Sequence, residues 1–185
     1  ARSLLRGGRS ARGEVAEWLE RLDERAVCGD VHGAEVILLG LASGGPPLRT
    51  VLLNSVLKAC GKNGDLSRAS VWYRRMRTES VRVNEKTFGK VIEAAAKSGA
   101  PGDAFAWLEE MAKDFPADGV AMGAVVDAFA RAGEPSSAAA WLRHMGASRL
   151  PLSSVAYNSV VNAWADAGEA DEAAACLVAM ASPEM

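Results

Sequence analysis

No stretch of the chain approaches the roughly 18 unbroken apolar residues that a membrane-spanning helix requires. With 49% apolar and 24% charged residues over 185 positions, the composition is that of one soluble domain or a short run of repeats. Cysteine is sparse: Cys28, Cys60 and Cys176 stand far apart with no CxxC spacing. This argues against a disulfide framework or zinc site and favours a reducing compartment. Histidine is sparser still. His32 sits in HGAE, whereas a zinc deaminase centre needs HxE followed by CxxC. Neither His32 nor His144 has a candidate nucleophile in a recognisable motif nearby. The pairs Gly7-Gly8 and Gly44-Gly45 precede no strand, so no phosphate-binding loop is indicated. No catalytic residue, metal, cofactor, small-molecule substrate or membrane span is therefore expected.

Acidic residues are missing from one place. Residues 1–13, ARSLLRGGRSARG, hold four Arg and no acid, which fits a transit-peptide remnant or a basic flexible tail. The opening Ala in place of Met points to a processed or partial chain. Setting this segment aside leaves 17 basic against 23 acidic residues, so the body carries about −6 where the whole chain carries −2.

What the sequence does contain is a period. AWLEEM (106–111) and AWLRHM (140–145) agree in their first three residues and their last, and differ in the two between. A Trp and a Met four residues apart lie on one helix face, so the likeness concerns burial and the variable pair faces solvent. Gly29, Gly64, Gly99, Gly133 and Gly168 follow one another at 35, 35, 34 and 35 residues. Five residues after each comes Ala34, Ala69, Ala104, Ala138 or Ala173. The Trp position holds Ile37, Trp72, Trp107, Trp141 and Cys176, and the Met position Leu41, Met76, Met111, Met145 and Met180. Four marks in one register over five units define an array.

Each unit divides at its Gly into two helical patterns. TVLLNSVLKACGKNG (50–64) carries Leu53, Val56, Leu57 and Cys60 at helical spacing, and DLSRASVWYRRM carries Leu66, Ala69, Trp72, Tyr73 and Met76. The Gly suits a left-handed helix end, Asp65 a cap, and Pro101 and Pro135 a first helical turn. One antiparallel pair cannot bury both apolar faces, so the units must stack, with Trp and Met filling the seam between them. Core packing outweighs a base-stacking role for such a periodic Trp series, and Trp107→Ala is expected to cost about 3 to 5 kcal/mol.

The connecting stretches ASGGPP (42–47), DFPADG (114–119) and SRLPLSS (148–154) are rich in turn residues. They divide the chain into a degenerate unit over 15–49, units over 50–84, 85–118 and 119–153, and a truncated unit over 154–185. No polar capping helix follows Met180, so the last apolar face is expected to meet a partner or to mark a truncated chain.

The tetratricopeptide pattern wants Gly inside the first helix, where this chain has Leu57, Ile92, Val126 and Val161. The units VLLNSVLKACGKNGDLSRASVWYRRM (51–76) and VAYNSVVNAWADAGEADEAAACLVAM (155–180) instead resemble those of the pentatricopeptide repeat (PPR) family. The resemblance covers 50–180 well and 15–49 weakly. It implies an all-α fold: a right-handed superhelical solenoid of antiparallel helix pairs, about five 35-residue repeats with the first degenerate. It also implies an organellar protein, of mitochondrion or chloroplast, whose units each read one base of single-stranded RNA.

In that family a polar residue of the first helix and the last residue of the unit read the base. Carried over, these are Asn54 with Asn84, Gly89 with Asp118, Gly123 with Ser153, and Asn158 in the last unit. The two glycines have no side chain to offer. Residues near the start of each first helix sandwich the base: Val51, Lys86, Val120 and Val155. Lys86 breaks the apolar pattern, though its stem packs as an apolar group does. Phosphates are met by Lys62, Lys97 and Arg131, with Asp166 departing in the last unit. Cations at these helix ends also complement the helix dipole, which alone would select them. Glu93 and Asp127 are expected on the same groove face, where they would repel phosphate. A protein-binding scaffold subunit of a large organellar assembly is therefore the alternative to RNA binding, since fold does not settle function.

Overall fold

The computed structural model describes residues 11–40, 46–116, 118–148, 150 and 153–181. Most of the basic N-terminal segment, Leu41 of the Met series, and residues 182–185 lie outside the described residues. The described residues form ten α-helices: α1 (Ala11–Cys28), α2 (Val31–Gly40), α3 (Pro46–Asn63), α4 (Leu66–Thr78), α5 (Glu85–Lys97), α6 (Pro101–Ala112), α7 (Gly119–Arg131), α8 (Pro135–Ala147), α9 (Ser154–Asp166) and α10 (Ala170–Ala181). None is long and apolar enough to cross a membrane. The first helix begins at Ala11, within the segment read from composition as a basic tail.

Each pair turns at its glycine. Gly64 has φ +69°, and a Cβ there would sit 3.1 Å from Lys97 Cβ of the next unit. Both the backbone angle and the space therefore require glycine. Gly29, Gly99, Gly133 and Gly168 repeat the same left-handed φ. The Asp65 N–H donates to the Cys60 carbonyl (3.0 Å), closing the turn, and the Asp65 carboxylate accepts from the Arg68 N–H (3.0 Å), opening α4. Pro101 and Pro135 begin α6 and α8, where no side-chain cap is made.

The helices sort into two layers. Each first helix packs on the first helix of the next unit, in the order α1, α3, α5, α7, α9. Each second helix packs on its own first helix and on the following one, and successive second helices meet only through long side chains, as Trp72 does Glu35 and Phe105 does Trp141. A layer in continuous contact beside one that is splayed makes a curved solenoid, with the first helices on its inner face.

The core runs along the seam. Met76, Met111 and Met145 are fully buried, as are Ala69, Ala104 and Ala138. The Trp series does not behave uniformly. Trp72 is buried, its indole N–H donating to Glu35 Oε1 of the preceding unit (2.7 Å), whereas Trp107 and Trp141 are only half-buried. The neighbouring Leu108 and Leu142 take the buried positions. Trp107 still crosses the seam, edge-on to Tyr73 (4.8 Å). Half-burial lowers the expected cost of Trp107→Ala from the full-core value to about 2 kcal/mol, which a urea melt of the variant measures. Met180, in the last unit, is 40% exposed.

Candidate functional site

The inner layer carries the positions singled out in the sequence. In the unit from Thr50, Asn54 lies mid-way along α3 and Asn84 caps α5. The Asn84 side-chain oxygen accepts from the Thr87 N–H (3.0 Å), and Thr87 Oγ1 accepts in return from the Asn84 N–H (3.2 Å). The Thr87 hydroxyl also lies 2.9 Å from Asn54 Oδ1 and 3.1 Å from Asn84 Oδ1. Its single proton serves one of them at a time. The two asparagines are thus held together through a fully buried threonine that the sequence reading missed. Its signal was available, because a polar residue three positions after an Asn cap is the spacing of a reciprocal helix cap.

The other unit-closing residues are also caps. Asp118 Oδ1 accepts from the Ala121 N–H (2.7 Å), and Ser153 Oγ accepts from the Ala156 N–H (3.2 Å). Asn158 is exposed on α9. Of the sandwiching positions, Val51, Val120 and Val155 are exposed at 52%, 78% and 68%. That exposure is unusual for valine and leaves apolar surface on the groove.

Between the units at 85 and 119 the inner face holds a cavity of about 440 Å³. Lys86 and Val120 line it from successive first helices, together with Gly89, Lys90, Glu93 and Asp118. Nothing lies within 4 Å of where a Gly89 Cβ would be, and the same holds at Gly123. Neither glycine is required by its backbone, since both are in mid-helix with ordinary φ. An alanine at position 89 is expected to raise stability by about 0.5 to 1 kcal/mol, because glycine carries an entropic cost in a helix. Thermal denaturation of Gly89→Ala measures it.

Lys62, Lys97 and Arg131 end α3, α5 and α7 at one register, and each is already paired. Lys97 Nζ is 2.8 Å from Glu93 Oε1, Lys62 Nζ is 3.8 Å from that same oxygen, and Arg131 Nε is 2.7 Å from Asp127 Oδ2. Glu93 and Asp127 do face the groove layer as expected, but as partners of the cations. Asp127 also accepts from Ser159 of the next unit (2.9 Å). Lys90 was not singled out by sequence. Burial, and then the like charge of Lys86, hold its amine below the ordinary lysine range. In contrast, burial pushes the Cys60 thiol up to about 12, which leaves it inert inside the core. Among the described residues no three metal-ligating side chains gather.

His144 and Arg143 are exposed on α8, in the outer layer. The His144 ring meets Trp141 edge-on at 5.6 Å, so the variable pair of AWLRHM belongs to the outer surface.

The PPR repeat model matches residues 51–81 and 155–182. The first span covers the pair α3 and α4, and the second the pair α9 and α10. Two of the units thus carry the PPR repeat pattern in their sequence. No curated protein matches it in sequence. PPR10 from maize superposes with a TM-score of 0.67 at 22% identity, over 88% of this chain and 24% of PPR10. PPR10 in complex with an 18-nucleotide psaJ RNA element gives a TM-score of 0.79 at 20% identity, over 90% and 25%. The PPR domain of Arabidopsis thaliana PRORP1, solved with tRNA, gives 0.64 at 24% identity, over 85% and 84%. The chain therefore spans about a quarter of the length of PPR10, and at these identities the likeness establishes the PPR solenoid fold.

Proposed function

We propose that the chain is a PPR protein that binds single-stranded RNA along the inner face of its solenoid, serving RNA processing, stability or translation in a mitochondrion or chloroplast. The observation that carries the reading is the cavity at Gly89, flanked by Lys86 and Val120 from successive first helices. A flat base inserted between two such side chains would stack on both, as in other one-base-per-repeat readers. PPR10 and the PRORP1 domain, each solved with RNA, support it. In this reading the units over 50–84, 85–118, 119–153 and 154–185 each face one nucleotide. Asn54, Asn84, Asp118, Ser153 and Asn158 address base edges, Val51, Lys86, Val120 and Val155 clamp the bases, and Lys62, Lys97 and Arg131 meet phosphates. The Arg-rich, acid-free residues 1–13 support import into an organelle.

The ion pairs of Glu93 and Asp127 with the cationic stripe favour a second reading, a scaffold that binds protein partners in a larger assembly. Purifying the native protein after ultraviolet crosslinking separates the two. Crosslinked RNA is the expected result, and protein partners with no crosslinked RNA would overturn the first reading.

A further inference from the structure

The cavity at Gly89 has a chemical polarity that the glycine itself does not supply. Lys90, the next residue of α5, lines it as a hydrogen-bond donor, and Asp118 lines it as an acceptor. Asp118 uses Oδ1 for its helix cap, which leaves Oδ2 available. The described hydrogen bond of Lys90 is to the Lys86 carbonyl (3.2 Å). The nearest acid of its own helix face, Glu93, has its Oε1 engaged by Lys97 and Lys62.

Resting on the RNA-binding reading, we propose that the unit over 85–118 selects guanine, with Lys90 donating to the base O6 and Asp118 accepting from its N1–H and N2–H. Guanine is the base whose pairing edge runs acceptor, donor, donor. Uracil offers an acceptor and one donor, but it sets its O2 against the carboxylate. Adenine and cytosine present an amino group to the ammonium and a ring-nitrogen acceptor beyond it. The missing side chain at position 89 leaves room for the larger purine ring, in a cavity of about 440 Å³. The partly buried Lys90 amine, its charged form disfavoured, gains an acceptor when a carbonyl oxygen enters. Lys90 thus takes the place of the reading side chain that Gly89 lacks.

Selection from a randomised short RNA pool, followed by sequencing, tests this with the full chain and two variants. The wild type is expected to enrich guanine at one position about tenfold over adenine or cytosine, the discrimination typical of a well-made base-edge contact. Lys90→Met and Asp118→Asn should each flatten that preference while RNA is still retained. Asn caps a helix as well as Asp does, so the second variant keeps the fold, and circular dichroism checks that it has. Replacing the selected guanosine by inosine, which lacks the 2-amino group, should weaken binding to the wild type and leave Asp118→Asn unaffected. RNA retained with no guanine preference, or with a preference that survives both substitutions, overturns the proposal and leaves the RNA-binding reading standing. A pool from which no RNA is retained overturns both.

Discussion

Phe88→Ala will destabilise the chain by about 3 to 5 kcal/mol, the upper end of what core truncation does. The Phe88 ring is fully buried and sits where two units meet. It lies 5.3 Å from Tyr73 of the preceding unit, and 6.5 Å and 6.1 Å from Trp107 and Phe115 of its own. Its neighbours are rings fixed on three different segments, α4, α6 and the turn after α6, so the space it leaves cannot close by a small shift of one helix. In a solenoid each unit leans only on its neighbours, so the loss concentrates at a single interface. It is a large share of the about 5 to 15 kcal/mol that holds an ordinary domain folded. Equilibrium urea denaturation, with Trp107→Ala as the half-buried comparison, gives the answer. A loss of less than about 1 kcal/mol for Phe88→Ala would contradict the packing described.

Reversing Lys62, Lys97 and Arg131 together to Glu will abolish measurable binding to short RNA. Single-stranded RNA binding loses about 0.7 unit of logarithmic salt slope for each phosphate contact removed, so three contacts are worth a slope of about 2. Reversal replaces each attraction by a repulsion, on a body already near −6. The ion pairs add a reciprocal expectation. Glu93 holds both Lys97 and Lys62, and Asp127 holds Arg131. RNA must therefore compete with these carboxylates, and Glu93→Gln with Asp127→Asn will tighten binding by about tenfold. Exposed ion pairs contribute only about 0 to 1 kcal/mol each to folding, so neither set of changes should shift the melting midpoint much. Fluorescence anisotropy with a labelled RNA measures both. A tightening in the neutralised variant is the more telling half, since it cannot arise from damage to the fold.

The fold was legible because repetition amplifies weak marks. A single Gly in a helical pattern says little, but five at one period fix five left-handed turns, and all five glycines take positive φ. The Ala and Met series reported burial correctly through the units at 50, 85 and 119. The Trp series was less faithful. A large ring meets the rule of one face per four residues while still reaching past the seam's edge, so Trp107 and Trp141 end half-exposed and the adjacent leucines fill the seam. The candidate site was legible in part. Lys86, Gly89, Asp118 and Val120 come from different places in the sequence and line one cavity. Pairing of the cations by Glu93 and Asp127 was half visible. A spacing of four puts Glu93 by Lys97 and Asp127 by Arg131, but the reach of Lys62 to Glu93 crosses between units and depends on how they stack. Lys90 carried no mark, because only the stacking of the units shows that it lines the cavity beside position 89.

Whether the inner face is an RNA groove is tested by the affinity of the chain for a short mixed-sequence single-stranded RNA as a function of salt. Binding that weakens with a logarithmic slope of about −2, set by Lys62, Lys97 and Arg131, is the predicted result. The absence of binding at low salt, or an affinity indifferent to salt, would contradict it.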